Sequence, residues 1–202
     1  MPLVDATKNS LLTSLAALIS HVSAHSSFPG TTGANELTGG SYARKAITFS
    51  APAAGSMDIT AAQLIDVPAG ATVAWFGGWS ALTAGSFRGY APNLPASNQG
   101  VYDFTVDPAT DVVTAHAHGF ANGETITFYG DTAPGGLTEG TVYFARDVTT
   151  NTFKVAATNG GVAIDLSSVG GVKAVVSRIV VETFTGAGQM NLTNFAQSFN
   201  LA

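Results

Sequence analysis

The sequence predicts a mainly β protein: an antiparallel β-sandwich or jelly-roll-like core with an N-terminal amphipathic helix and an inserted small β domain. Short runs rich in β-branched and aromatic residues recur along most of the chain, and Pro and Gly turns separate them. Helical periodicity is confined to the N-terminal region. The chain has 202 residues, of which 46% are hydrophobic, and this is enough for one or two cores.

The N-terminal helix is predicted over residues 7–22, with Thr7 or Asp5 as its N-cap. Its apolar residues follow the i, i+1, i+4, i+7, i+8, i+11 spacing of one helical face. They are Leu11, Leu12, Leu15, Leu18, Ile19 and Val22. We expect Leu12, Leu15 and Ile19 to be buried, either on the following sheet or against a neighbouring subunit.

Neither an export signal nor a membrane span is expected in this N-terminal region. A signal peptide begins with positive charge, whereas here Asp5 precedes the apolar run and Thr13 and Ser14 interrupt it. The apolar run is also shorter than the roughly 18 residues that a membrane-spanning helix needs.

Four strands are predicted for the rest of the first hundred residues: 42–49, 59–67, 72–80 and 87–91. In the third, a period of two places Trp75 and Trp79 on one face with Val73 and Gly77, while Phe76 lies on the other. Both faces are apolar, so this strand is either covered on both sides or lies at an interface between subunits. Trp75 and Trp79 are therefore candidate interface residues. A further hypothesis is that the same pair stacks against a carbohydrate.

A second domain is predicted over residues 101–171. Six short strands follow one another at intervals of about 8 to 12 residues. They span residues 102–106, 112–116, 124–129, 142–147, 152–156 and 163–166. The core domain then consists of residues 1–100 and 172–202, and the strand 174–184 is expected to join its sheet. The uncharged C-terminal tail contains Phe195 and Phe199, and we expect it to be docked or to contribute to an interface.

Charge and chemistry exclude several function classes. Only 10% of residues are charged, the formal net charge is -5, and 8 Lys and Arg are too few for the basic patch that nucleic acid requires. The pairs His21 with His25 and His116 with His118 have ligand-like spacing, but neither has a third ligand nearby. Cys is absent and the carboxylates are isolated. We therefore expect no catalytic residues, no metal and no cofactor. Arg44 is expected to pair with Glu36 or to anchor loop carbonyl groups.

The segment PGTTGANE at residues 29–36, followed by GGSYAR at residues 39–44, resembles small virion proteins of tailed bacteriophages. These are minor tail or tail-fibre proteins. The block VPAGATVAWFGGWSA at residues 67–81 continues the likeness, and the ending from Thr185 returns to it. The resemblance implies a location in the virion.

The central region is similar to a β module that is inserted into phage tail and fibre proteins. Three motifs appear in the order found in that module: an HGF turn followed by a GE turn, then a strand with Gly-Thr-Val-Tyr, then a strand with Thr-Phe-Lys-Val. The likeness covers about seventy residues. It implies that residues 101–171 are an insertion.

From these resemblances we expect a structural component of a tailed-phage virion, tail-associated or fibre-like. The core would dock on the particle and the inserted module would project outward. The alternatives are a capsid decoration protein, or a carbohydrate-binding host-adsorption module with Trp75, Trp79, Tyr90 or Tyr129 as stacking surfaces. The expected partners are other virion proteins, tail or capsid subunits, and further copies of the chain, as a homo-oligomer and possibly a trimer. Neither nucleic acid nor membrane is an expected partner.

Overall fold

A computed structural model of the chain describes residues 3–97 and 99–198, without the side chain of Ser198. The predicted class is confirmed: the structure is mainly β, its sheets are antiparallel, and it has an N-terminal helix. The chain divides into two compact units. Unit 1 comprises residues 1–91 and 182–202, and unit 2 comprises residues 92–181. These limits lie nine residues before Val101 and ten residues after Gly171, where the sequence suggested the boundaries.

The helices and strands of unit 1 come from both ends of the chain. They are α1 (Asp5–Ala16), β1 (His21–His25), β2 (Lys45–Ala46), β3 (Ser56–Met57), β4 (Gln63–Val67), β5 (Thr72–Val73), β6 (Trp75–Trp79), β7 (Phe87–Pro92), and, after unit 2, β15 (Glu182–Thr183), β16 (Gly188–Leu192) and β17 (Gln197–Ser198).

One layer of unit 1 is a four-stranded sheet in the order β2-β1-β6-β7. The other layer is a two-stranded ribbon in which the C-terminal segment runs antiparallel to residues 56–73. Glu182 lies opposite Val73, Gly188 opposite Val67, and Leu192 opposite Gln63, so β15, β16, β5 and β4 share one register. β17 pairs with β3 farther along the same ribbon, but the register shifts by one because the segment before β4 has one more residue than the segment opposite it.

The core of unit 1 lies between these two layers. The sheet contributes Val22, Ala24 and Phe76, and the ribbon contributes residues from both of its strands. The ribbon residues are Ile65, Val67, Val73, Met190, Leu192 and Phe195. Because the C-terminal segment supplies half of one layer, the tail is docked as expected, up to Ser198.

The N-terminal helix is shorter than predicted. It ends at Ala16, its N-cap residue is Val4 rather than Asp5 or Thr7, and no side chain caps it. Residues 21–25 form β1 instead, because alternation with a period of two places Val22 and Ala24 in the core and leaves His21, Ser23 and His25 on the opposite face. Leu12 and Ile19 are buried as expected, Leu15 is partly buried, and Leu11 and Leu18 are exposed.

The strands of unit 2 are β8 (Val101–Asp103), β9 (Thr105–Asp107), β10 (Val112–Thr114), β11 (Thr125–Tyr129), β12 (Val142–Arg146), β13 (Thr152–Ala156) and β14 (Val175–Arg178). They form one sheet in the order β8-β14-β11-β12-β13-β10-β9. Its two end strands, β8 and β9, are separated in the chain only by Phe104. The sheet therefore closes on itself as a barrel in which β8 and β9 are two halves of one continuous strand.

Side chains fill the interior of this barrel. Phe128, Phe153, Ile126, Leu166 and Val176 are almost completely buried there. The barrel is therefore packed rather than hollow. The predicted strand 163–166 is reduced to a single bridge between Ala163 and Ala156.

The assignment of strand 174–184 to the core domain was wrong for most of its length. Val175–Arg178 pairs with β11 and β8 inside the barrel, and only Glu182–Thr183 pairs with unit 1. Apolar alternation shows that a segment is a half-buried strand, but it does not identify the partner strand, and here the two partners belong to different units.

Candidate functional site

The most organised polar cluster of unit 1 lies on the face of the four-stranded sheet that points away from the core. The register of β1 on β6 places His25 opposite Trp75, Ser23 opposite Gly77, and His21 opposite Trp79. The loop of residues 26–44, which carries the PGTTGANE and GGSYAR segments, contributes partners to this face. We call the face with these partners the loop-covered site.

A chain of hydrogen bonds crosses the loop-covered site. The Trp79 indole Nε1 donates to Ser23 Oγ at 2.8 Å, and Ser23 Oγ lies 2.6 Å from His25 Nε2. His25 Nδ1 lies 2.7 Å from the backbone oxygen of Ala34. Because a carbonyl oxygen only accepts, Nδ1 carries the proton and Nε2 accepts from the Ser23 hydroxyl. The network thus ties the loop to both central strands.

A serine hydroxyl bonded to a histidine nitrogen is the first part of a nucleophile and base pair. Here Ser23 and His25 are completely buried. A Cβ atom added at Gly77 would stand 2.6 Å from His25 Nε2 and 2.7 Å from Ser23 Oγ. No room remains for a reacting group, and this geometry supports a packing role for the pair.

Arg44 connects Glu36 in the loop to the segment that follows β6. Its Nε and Nη2 each lie 2.8 Å from a Glu36 carboxylate oxygen, in the bidentate arrangement. Its Nη1 donates to the backbone oxygens of Ala81 and Ala84, and its guanidinium stacks 3.4 Å from the centre of the Trp79 ring. The predicted pairing of Arg44 with Glu36 is confirmed.

Tyr42 completes this ionic cluster. Its hydroxyl donates to Glu36 Oε1 at 3.1 Å and accepts from the backbone N–H of Ala24 at 3.1 Å. Burial raises the pKa of Tyr42 above its ordinary value, and the Glu36 charge acts in the same direction. The hydroxyl therefore keeps its proton and its role as a donor to Glu36.

The two tryptophans are enclosed by other aromatic rings. Trp75 makes edge contacts with Phe28 and Tyr90, at centroid distances of 5.1 and 5.9 Å, and Trp79 contacts Phe87 at 5.0 Å. Trp75 is 0% exposed and Trp79 is 8% exposed. The hypothesis of a sugar-stacking Trp pair therefore fails, because neither ring presents a face to solvent. Tyr129 is also buried, and Tyr90 is partly exposed.

The residues predicted for an interface mostly pack unit 1 itself. Leu12, Ile19, Trp75, Trp79 and Phe195 are all at most 8% exposed, and Leu15 is partly buried. Their burial supports packing within the chain, and an interface made by them stays a prediction. Phe199 lies outside the described residues.

Neither histidine pair forms the arrangement of a metal site. His21 and His25 lie on a strand, not at a helix end, and His25 is bonded to Ser23 and Ala34. His116 is exposed, whereas His118 is buried and its Nδ1 accepts from the backbone N–H of Phe120. Within residues 3–97 and 99–198, no group of three or more potential ligands could hold a metal ion.

In unit 2 the loop of residues 115–124 is fastened by Arg178. The Arg178 Nε donates to Glu124 Oε1 at 2.8 Å, its Nη2 donates to the backbone oxygen of Gly119, and its guanidinium lies 4.8 Å from the Phe120 ring centre. Burial opposes ionisation of Glu124, but the hydrogen bond from Arg178, with its charge, leaves the pKa of Glu124 below its ordinary value. This cluster was not predicted, because it joins residues far apart in the sequence.

Comparison with known families gives one match. The sequence model of the family described as "Podophage GP4 fiber I protein gp80" matches residues 5–106, just over half of the chain. Comparisons with curated proteins and with solved structures found no match. Among the described residues, no helix has the length and apolar character to cross a bilayer.

The match defines a phage fibre protein of mainly β structure, located in the virion, with a tail-like or fibre-like structural role. The chain belongs to the podophage GP4 fiber I protein gp80 family. The matched residues include α1 and β1 to β7, together with the loop-covered site, and they end within β9, early in the barrel.

Replacing Gly33 by Ala should destabilise unit 1 more than the same change at Gly39. Both glycines have positive φ, 76° and 91°, so both variants acquire similar backbone strain. A Cβ at Gly33 would clash with the Trp79 ring and lie 2.7 Å from Phe87 Cδ2, whereas no atom lies within 4 Å of a Cβ at Gly39. We expect the Gly33→Ala cost to exceed the Gly39→Ala cost by about 1–3 kcal/mol.

Urea unfolding followed by tryptophan fluorescence measures this difference, because Trp75 and Trp79 are the two tryptophans of the chain and both belong to unit 1. Equal losses at Gly33 and Gly39 would show that the loop is not packed on Trp79.

Unit 1 should lose stability as the pH falls below 6.5. Burial lowers the pKa of His25 from its ordinary 6.5, and the Arg44 charge adds to this, against the opposing effects of the Ala34 hydrogen bond and the Glu36 charge. Between the lowered pKa and pH 6.5, His25 therefore binds a proton more readily in the unfolded chain than in the folded chain. The contribution is present above pH 6.5 and is lost as the pH falls through the lowered pKa.

The check is the urea midpoint of the same fluorescence signal across this pH range. The His25→Gln variant, which keeps one donor and one acceptor, should have a flatter dependence on pH, and the exposed His116→Gln variant should match the wild type. A His25→Gln variant with an unchanged slope would contradict the assignment.

Proposed function

We propose that the protein is a tail-associated, fibre-like component in which unit 1 docks on the particle and unit 2 is an inserted module that projects outward. The observation that carries this proposal is the position of the family match. It covers the part of unit 1 that precedes the barrel and stops soon after the barrel begins. If members of the family dock on the particle in the same way, the docking surface lies on the residues that the family has in common.

The barrel has features that suit an inserted module. Its first strand begins at Val101 and its last strand ends at Arg178, and Ser177 pairs with Val101, so the chain enters and leaves at the same end. The turn of residues 108–111 and the loop of residues 130–141 lie at the other end. Changes in these loops would leave the entry point undisturbed, as is usual for inserted domains.

We propose that the docking surface includes the outer side of α1. Val4, which precedes α1, Leu11 within it, and Leu18, two residues beyond its end, recur every seven residues and are 68%, 43% and 46% exposed, while Leu12 packs inward. Residues 9–35 contain no Asp, Glu, Lys or Arg. Val4 lies beside the charged residues Asp5 and Lys8, whereas Leu11 and Leu18 lie in the uncharged stretch that follows. Exposed aliphatic residues in an uncharged stretch are typical of a surface that another protein covers.

We also propose that the protein has no catalytic, metal or cofactor site. The buried Ser23 and His25 pair and the isolated carboxylates support a protein without catalytic, metal or cofactor chemistry. We propose that it acts through contacts with other virion subunits and with further copies of itself, as a homo-oligomer and possibly a trimer.

Binding of the purified protein to phage particles that lack it would test the proposal. The double variant Leu11→Ser, Leu18→Ser should bind weakly while keeping the wild-type fluorescence midpoint. The control is Val162→Ser, Val172→Ser in unit 2, where two exposed aliphatic side chains are likewise replaced by serine. Light scattering of the purified protein gives its oligomeric state.

Cryo-electron microscopy of the decorated particle decides between the alternatives. Density at the tail with the barrel outermost supports the proposal. Density on the head would indicate a capsid decoration protein, and loss of binding only in the barrel variant would place the docking surface on unit 2. Adhesion to host glycan through unit 1 would favour the adsorption module.

A further inference from the structure

The sequence contains two Asn-Gly pairs, Asn122–Gly123 and Asn159–Gly160, and both lie in loops of unit 2. Asn is a thermolabile residue. When Gly follows it, no side chain hinders attack of the Gly backbone nitrogen on the Asn side-chain amide. The two pairs are chemically identical, so any difference between them comes from the fold.

The fold holds both reacting groups of the first pair. Asn122 Oδ1 accepts a hydrogen bond from the backbone N–H of Val148 at 3.1 Å. The backbone N–H of Gly123 donates to the backbone oxygen of Ala145 on β12 at 2.8 Å, so the nitrogen that would attack is already hydrogen-bonded. Neither group moves toward the other without breaking a hydrogen bond.

The second pair is exposed, although the Asn159 side chain lies against Gly123. Asn159 and Gly160 are the central residues of a turn closed by the bond from Gly161 N–H to Thr158 oxygen, 2.9 Å. Across the described part of the chain, neither the Asn159 side chain nor the Gly160 N–H makes a hydrogen bond. Gly160 has φ +72° and no atom within 4 Å of a Cβ position, so no packed neighbour hinders a change in its backbone conformation.

From this contrast we propose that Asn159 is a site of spontaneous deamidation, whereas the fold protects Asn122. The Gly160 nitrogen forms a bond to Asn159 Cγ and loses its proton, and the side-chain nitrogen leaves as ammonia. The product is a five-membered succinimide. Water then adds to one of its two carbonyl carbons and breaks the bond from that carbon to the ring nitrogen, which gives aspartate or isoaspartate at position 159.

The modification changes this turn in two ways. It adds a carboxylate to a turn whose Gly161 oxygen accepts from Arg146, a side chain that already pairs with Asp147. Isoaspartate also lengthens the main chain by one methylene. If the proposed virion role holds, the protein is not replaced after assembly, and the modified fraction then increases with the age of the particle.

Incubation of the purified full-length protein in mildly alkaline buffer, followed by peptide mapping with mass spectrometry, tests the proposal without phage particles. We expect conversion of Asn159 to the acid to rise steadily with time, with Asn122 unchanged. A parallel sample unfolded in urea should lose the amide at both positions at similar rates. The Asn159→Gln variant should abolish the modification in the folded protein.

Equal conversion of Asn122 and Asn159 in the folded protein would overturn the proposal, and so would an unchanged Asn159 when the unfolded sample reacts at both positions. Because the readout is a mass change in one peptide, failure here says nothing against docking on the particle, and failure of docking says nothing against the modification.

Discussion

Replacing Arg44 by Ala should reduce the free energy of unfolding of unit 1 by about 3 kcal/mol. Arg44 and Glu36 side chains are only 11% and 18% exposed, so the variant leaves a nearly buried carboxylate without its cation. It also removes the donors to Ala81 and Ala84 and the stacking partner of Trp79. Urea unfolding followed by tryptophan fluorescence measures the loss.

The ion pair of Lys45 with Asp66 provides the control. Its charged groups approach to the same distance, 2.8 Å, but the side chains are 30% and 29% exposed. Lys45→Ala should cost about 1 kcal/mol or less, because water already screens this pair. Arg44→Lys should fall between wild type and Arg44→Ala, since a lysine keeps the charge but loses the planar fork. Equal costs for Arg44→Ala and Lys45→Ala would show that the loop-covered site is not sealed.

Replacing Leu192 by Ala should destabilise unit 1 by about 2–5 kcal/mol. Leu192 is 4% exposed and lies in the core formed between the ribbon and the sheet, more than 90 residues away in the chain from the sheet residues it packs with. The loss reports directly on whether the C-terminal segment completes unit 1.

Leu64 provides a control of identical chemistry on the same ribbon. It lies on β4 opposite Asn191 and is 52% exposed. Leu64→Ala should change stability by no more than about 0.5 kcal/mol. If Leu192→Ala leaves the tryptophan transition unchanged, residues 182–198 are not part of the core of unit 1.

Local pattern predicted the elements of this fold better than their partners. The alternation in β6 was predicted with the correct residues on each face, and burial of both faces followed from it. Val73 was predicted on the same face as Trp75, but it lies in the core with Phe76. The reason is that the chain changes its pairing partner at Ala74, since β5 pairs with β15 whereas β6 pairs with β1. Pairing of this kind depends on distant residues and leaves no local signal.

The loop-covered site was only partly predictable. Arg44 and Glu36 are eight residues apart, and their opposite charges in an otherwise uncharged loop indicated the pair. The Ser23, His25 and Trp79 network requires the register of β1 on β6, and residues 21–22 had been assigned to the helix. The signal was present, since Val22 and Ala24 alternate with Ser23 and His25, but the longer helical pattern that precedes them obscured it.

The register of the C-terminal ribbon has a consequence for the order in which the protein folds during synthesis. Residues 182–198 emerge from the ribosome after every residue of the barrel, so the barrel has its full set of strands before unit 1 has its second layer. Until those residues arrive, the sheet face with Val22, Ala24 and Phe76 and the strand with Ile65 and Val67 lack half of their cover. Unit 1 begins first and finishes last, and its nascent form is the stage most exposed to aggregation.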